Sequence, residues 1–279
     1  CFVWGSPKQK GVFTLERIER ALDQARALGT IEWVFFEGGE PFLFHPVLVR
    51  GVQAAAARGF EVGVVTNGYW ATTAADARVW LEPLADHLHS LSVSTDELHY
   101  DERISTEARN VVEAGKALGI PTDMIVCDLP QCVSPEPRRG EPVEGGPIMY
   151  RGRAAVKLTA GAPLAPWDTF DKCPHEELDD PGRVHVDPLG HLHVCQGILL
   201  GNLFERPLKE IARGYRPKQH PIIGPLLEGG PAELARRHDV AHDDAYADAC
   251  HLCYAARVAL RPQFGGMLGP GQMYGEGLA

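Results

Sequence analysis

The stretch Ile31-Glu32-Trp33-Val34-Phe35-Phe36-Glu37-Gly38-Gly39-Glu40-Pro41 decides the architecture. A short run of β-branched and aromatic residues reads as a strand. The Gly-Gly-Glu-Pro after it reads as a loop whose backbone lies open to a ligand, because neither glycine carries a side chain. Similar runs recur downstream as Glu61–Thr66 (EVGVVT), Leu91–Thr95 (LSVST) and Pro121–Cys127 (PTDMIVC). Their starts set a repeat of about 30 residues, the size of a strand–helix unit.

A helical pattern precedes each run. Thr14 is placed as an N-cap with Glu16 in the first turn, which suits a helix N-terminus. Leu15, Ile18, Leu22, Ala25 and Leu28 then fall three or four apart, and Gly29 stops the helix. A second helix runs from about Pro46 to Arg58, with Gly59 beyond it. A third lies between Thr73 and His87, and a fourth spans about Ser105 to Leu118 before Gly119. Such alternation predicts parallel strands joined by right-handed crossovers. The near-continuous apolar strands suggest cover on both faces, and a barrel or part-barrel is the simplest closure.

Composition bounds the remainder. The chain has 279 residues, a net charge of −10, 44 % hydrophobic residues and 7 Cys. That length suits one large α/β domain, or one with an appendage. No apolar run approaches the ~18 residues of a membrane span. The acidic balance favours neither nucleic acid nor anionic lipid. The cysteines are too sparse for a disulfide scaffold.

The regular period ends near residue 129. Residues 129–148, rich in Pro, Gly and charge, read as a long loop. Met149 to Leu158 reads as a further strand. Arg183–Val186 and His191–Val194 alternate around Asp187-Pro188-Leu189-Gly190, the pattern of a β-hairpin. A short helix over Pro207–Gly214 and helical stretches near 231–238 and 251–260 complete the chain.

Sites in parallel sheets gather at the carboxyl ends of strands. There the sequence offers Glu40, a carboxylate that can meet an ammonium group. It also offers Thr66-Asn67-Gly68, Ser94-Thr95-Asp96-Glu97, His99 and Tyr100. Each segment alone is satisfied by a turn. Together on one rim they point to a ligand site.

At these residues the sequence resembles the radical S-adenosylmethionine (SAM) superfamily. Gly38-Gly39-Glu40-Pro41, Thr66-Asn67 and Ser94 to Asp96 sit where that family contacts SAM. Cys1-Phe2 matches the last cysteine, and its aromatic successor, of the family's Cys-x-x-x-Cys-x-x-Cys loop. The resemblance implies a partial (β/α)6 TIM-like barrel over 1–158, with the first strand and two cluster cysteines upstream of Cys1. It implies a [4Fe–4S] cluster that chelates SAM. Reductive cleavage then gives a 5′-deoxyadenosyl radical for hydrogen abstraction from a peptide, protein or small metabolite. A flavodoxin or ferredoxin would supply the electron, and oxygen-sensitive clusters suit a reducing cytoplasm. Arg153, in Gly152-Arg153-Ala154, would pair with a carboxylate of SAM or substrate, or form a structural ion pair.

Residues 159–279 resemble the SPASM/twitch extension of such enzymes, with Gly190-x4-Cys195 and Cys250-x-x-Cys253 as the matching segments. That resemblance implies one auxiliary [4Fe–4S] cluster on Cys173, Cys195, Cys250 and Cys253. Zinc, or four reduced structural thiols, are the alternatives, since four thiolates suffice for either metal site. A zinc-stapled metabolite-binding protein is the corresponding alternative function. His175, His185, His191 and His193 crowd the same segment as possible substitute ligands, with His185 expected to face solvent. Gly201-Asn202-Leu203 reads as a turn after the hairpin. Cys127 and Cys132 stay unassigned, Cys127 being expected as a small buried hydrophobe.

Overall fold

The computed structural model describes residues 4–6, 8–96, 102–127 and 148–277. Two compact units divide them. The first takes residues 13–96 and 102–127; the second takes residues 4–6, 8–12 and 148–277. The sequence division at residue 158 therefore differs from this one, since 4–6, 8–12 and 148–158 pack with the second unit.

The first unit is a mixed α/β layer. Its strands are β1 (Trp33–Phe36), β2 (Glu61–Thr66), β3 (Ser90–Ser94) and β4 (Thr122–Ile125), all parallel in the order β1-β2-β3-β4. The helices are α1 (Leu15–Leu28), α2 (His45–Ala57), α3 (Ala74–Leu81) and α4 (Thr106–Ala117). Their starts follow the capping chemistry. Thr14, Thr73 and Ser105 accept the backbone N–H groups of Arg17, Asp76 and Ala108. Gly29 ends α1 in the left-handed region at φ 86°.

One core joins all four helices to one face of the sheet. Val34, Phe36, Val62, Val64, Leu91, Val93 and Met124 belong to it. These residues alternate along each strand and fall in register across the sheet. The opposite face carries Trp33, Phe35, Gly63, Val65, Ser92, Ser94 and Asp123. Phe35 lies over Gly63, where a Cβ would overlap its ring. The two faces are thus unequal, and β3 shows why: Ser-Leu-Ser-Val-Ser puts leucine and valine on the helices and serine on the other side. The expectation of two apolar faces is corrected accordingly.

The second unit holds a three-stranded antiparallel sheet of β6 (His185–Val186), β7 (His191–Cys195) and β8 (Ile198–Asn202), and a short pairing of β5 (Ala165–Pro166) with β9 (Ala245–Tyr246). Helices α5 (Arg153–Lys157), α6 (Leu208–Gly214), α7 (Ile223–Arg237) and α8 (Ala249–Phe264) complete it. Helix α7 breaks at Gly229 and Gly230, which leave helical φ/ψ, and Pro231 restarts it. Two expectations change here. Residues 153–157 form α5 rather than a strand, consistent with the helix preference of Arg-Ala-Ala-Val-Lys. Of the turn expected over Gly201-Asn202-Leu203, Gly201 and Asn202 instead end β8 and the turn begins at Leu203, while Asn202 donates to the Leu189 carbonyl at 3.1 Å. Among the described residues no helix is long and apolar enough to cross a membrane.

Candidate functional sites

The first candidate site lies at the carboxyl edge of the parallel sheet. Phe36 stands opposite Val64, Thr66 opposite Val93, and Ser94 opposite Ile125, so the segments that follow share one rim. Glu37, Gly38 and Gly39 are exposed. A Cβ at Gly38 or Gly39 would meet nothing within 4 Å, so the backbone there is open to an incoming group.

Glu40 behaves differently from its neighbours. It is 8 % exposed. Its Oε1 accepts Phe42 N at 2.9 Å and Thr66 Oγ1 at 2.8 Å, and its Oε2 accepts Asn67 N at 2.7 Å. Thr66 Oγ1 in turn accepts Trp70 Nε1 at 3.0 Å and Gly68 N at 3.1 Å. Burial raises the Glu40 carboxyl above the usual carboxylate range, against the pull of those three donors. The expectation of a rim carboxylate meeting an ammonium is corrected: Glu40 ties the loop after β1 to the loop after β2. Pro41 opens a 3₁₀ turn behind it, and Phe42 stacks on Trp70 at 4.1 Å.

Asp96 is buried at the end of β3, with Ser94 half-buried before it. Thr95 Oγ1 accepts Ser105 N at 2.9 Å and donates to the Arg103 carbonyl at 3.1 Å, fixing the entry to α4. Cys127 is half-buried rather than fully enclosed. Cys1, Cys132, His99, Tyr100 and the loop expected at 129–147 lie outside the described residues.

The second candidate site is a cavity in the second unit. Cys173, Cys195, Cys250 and Cys253 all line it, although they are spread from residue 173 to residue 253 of the sequence. Cys195 ends β7, and Cys250 and Cys253 lie in the first turns of α8. Asp248 caps that helix, accepting His251 N at 2.6 Å and Tyr150 N at 3.0 Å. Cys173 arrives on the segment after Phe170, which passes against the break in α7. A Cβ on Gly230 would overlap the backbone of Phe170 to Lys172, and Gly230 sits at φ +63°. The glycine is therefore required for Cys173 to reach the cavity. Cys173, Cys195, Cys250 and Cys253 form no disulfide with one another. No group of three or more His, Cys, Asp or Glu among them is disposed to hold a single metal ion.

Two buried arginines that the sequence reading overlooked face these thiols. Arg151, 3 % exposed, donates through Nη1 to Glu176 Oε1 at 2.9 Å and to Cys195 Sγ at 3.1 Å. Glu176 Oε2 is shared with Arg183 at 3.2 Å. Arg257, 1 % exposed, donates to the Gln196 carbonyl at 2.8 Å and the Cys253 carbonyl at 3.3 Å. Among the described residues it forms no ion pair with a carboxylate. Burial works against the charge of Arg257, but the negative charge that Tyr274, Cys253, Cys195 and Cys250 carry when ionised outweighs it and raises its pKa. Desolvation pushes Cys173 up to about 12 and holds Cys250 and Cys253 above the ordinary thiol range. Without a metal these thiols stay protonated; a metal ion deprotonates coordinating thiols outright. Arg257 follows Cys253 by four residues on α8, so helical spacing alone places it on the cysteine face.

Arg153 is in the second unit, where its Nη1 donates to the Gly5 carbonyl at 2.9 Å. Of the described histidines, only His175 lines the cavity. His185 is half-buried, contrary to expectation. His191 and His193 serve Asp187 instead, through Nδ1 at 2.8 Å and Nε2 at 3.4 Å. Gly197 N donates to His193 Nδ1 at 3.2 Å, which leaves the ring proton on Nε2, facing Asp187. In the comparisons with known proteins, no family model matches this chain, and no curated protein matches it.

Proposed function

We propose that the chain is a radical SAM enzyme with one auxiliary [4Fe–4S] cluster on Cys173, Cys195, Cys250 and Cys253. One observation carries the auxiliary assignment: Arg257 is a buried permanent cation without a carboxylate partner among the described residues, set among four cysteines. A buried charge needs a counter-charge, and thiolate-bound iron–sulfur supplies a net negative one. The donor set fits the group, with four thiol ligands, a hydrogen bond from Arg151 to sulfur and an enclosed lining.

The catalytic half rests on the rim. An open parallel sheet with all its helices on one face is the arrangement of part of a β/α barrel, and the SAM loop cysteines would be Cys1 and two residues upstream. The open backbone at Gly38 and Gly39 would receive the methionine end of SAM. Glu40 and Thr66 hold that loop in place, and Asn67, Ser94 and Asp96 line the rim beside it. When bound, the cluster and SAM supply the hydrogen-abstracting radical, and the protein's part is placement and exclusion of water. The substrate class is a peptide, a protein or a small metabolite.

The test is iron and sulfide quantification on full-length, anaerobically reconstituted protein, with assay of 5′-deoxyadenosine from SAM. Expected are two clusters per chain, and one fewer in the Cys253→Ala variant, which still cleaves SAM. A colourless zinc-loaded protein without 5′-deoxyadenosine formation overturns the proposal in favour of a zinc-stapled binding protein.

A further inference from the structure

Resting on that cluster reading, we infer that Arg151 and Arg257 set the reduction potential of the cluster on Cys173, Cys195, Cys250 and Cys253, and hold it in the readily reduced range. A cluster with four thiolate ligands is already negative, and reduction adds one electron to the same buried volume. Nearby positive charge and hydrogen bonds to sulfur favour that added electron. Both are present. Arg151 reaches Cys195 Sγ at 3.1 Å, and Arg257 lies fully buried along the same lining.

The opposing groups are unequal in reach. Glu176 offsets Arg151 directly at 2.9 Å, and is itself shared with Arg183 at 3.2 Å. Asp248 is engaged by the backbone of Tyr150 and His251. No carboxylate offsets Arg257 among the described residues. Its hydrogen bonds go to two carbonyls and its guanidinium lies 6.0 Å from the Tyr254 ring centroid and 5.8 Å from that of Tyr274. Arg257 therefore contributes the larger, unscreened share. The cations that balance the negative charge of the oxidised cluster balance the added electron as well, so the same two side chains that stabilise it also raise its potential. The two arginines act through the cluster, not on a substrate.

The experiment uses the chain carrying Cys1→Ala, so that only the second site is loaded, with a redox titration followed by electron paramagnetic resonance. Arg257→Gln is expected to lower the reduced-to-oxidised ratio at fixed potential about tenfold, a midpoint about 59 mV more negative for a one-electron couple. Arg257→Lys, which keeps the charge, stays near the parent. Arg151→Gln shifts in the same direction by less. Arg237→Gln, at an exposed pair with Glu228 and Glu233, leaves the midpoint unchanged. Normal iron content with an unmoved midpoint in Arg257→Gln overturns the inference while leaving the cluster reading intact. Absence of iron in the parent overturns the cluster reading itself. Should Arg257→Gln not fold, an unmoved midpoint in Arg151→Gln overturns the inference. Should neither fold, a parent cluster left oxidised by dithionite does so.

Discussion

Glu40 in the first unit and Arg257 in the second are both buried charges, and they are solved in opposite ways. Glu40 receives three donors from its own loops, so the protein satisfies it completely. Arg257 receives two carbonyls and, among the described residues, no carboxylate. A closed network stabilises a scaffold and leaves the ligand to the open backbone beside it, here Gly38 and Gly39. An uncompensated charge is tolerable only where something else supplies the opposite sign. The first site is therefore built around a fixed loop, and the second, on the proposed reading, around a bound cluster.

The largest effect expected is at the break in α7. Gly230→Ala places a Cβ into the backbone of Phe170 to Lys172 at a left-handed φ. It should destabilise the second unit by roughly 3 kcal/mol and withdraw Cys173 from the cavity. Gly214→Ala, at the end of α6 in the same unit, meets nothing within 4 Å and should change stability by less than about 1 kcal/mol. Denaturation of the two variants by urea decides it, and equal midpoints would remove Gly230 from the role assigned to it.

Glu40 comes next. Glu40→Ala leaves Phe42 N, Thr66 Oγ1 and Asn67 N without their acceptor and should lose roughly 2 kcal/mol. Glu40→Gln loses less and exposes the charge term. Because burial raises the folded pKa, that term favours folding below the unfolded carboxyl value and is lost as pH rises through the folded one. The stability of Glu40→Gln relative to the parent should therefore improve from acid to neutral pH. A parallel pair of pH curves would show that the carboxylate is not strained by burial.

Asp187 should give the opposite slope. Burial acts to raise its pKa, but hydrogen bonds from His193 and His191 outweigh it and lower the value. Its stabilisation is present above the unfolded carboxyl value and is lost as pH falls through the folded one. Asp187→Asn should lose about 1 kcal/mol at neutral pH and nothing in acid, by the same denaturation series. A constant difference across pH would assign the loss to geometry instead of charge.

The sequence foretold the two sites unevenly, for physical reasons. The 3.6-residue and two-residue periods are local, so the helices at Leu15, His45 and Thr106 and the four parallel strands were readable. So was the set Cys173, Cys195, Cys250 and Cys253, because thiols carry chemistry that few other residues share. The burial of Glu40 was not readable, since a carboxylate between glycine and proline looks exposed until Asn67 and Thr66 close on it from another strand. Arg151 was equally hidden, its partners Glu176 and Cys195 being distant in sequence. Arg257 was within reach from the spacing on α8. The serines of β3 already announced a polar face, but the neighbouring apolar strands obscured it.

The smallest structural effect carries the sharpest functional one. Gly39→Ala adds a methyl that meets nothing within 4 Å, so stability should stay within about 0.5 kcal/mol of the parent. A ligand seated on that backbone would meet the methyl directly. SAM affinity, measured by equilibrium dialysis on the reconstituted full-length protein, should fall severalfold in Gly39→Ala with the melting temperature unchanged. Glu40→Ala should lower both together, because it acts through the loop. If Gly39→Ala binds SAM as the parent does, the open backbone at the strand ends is not where the methionine end sits. The contrast between a self-satisfied rim and an occupant-dependent cavity would then rest on Arg257 alone.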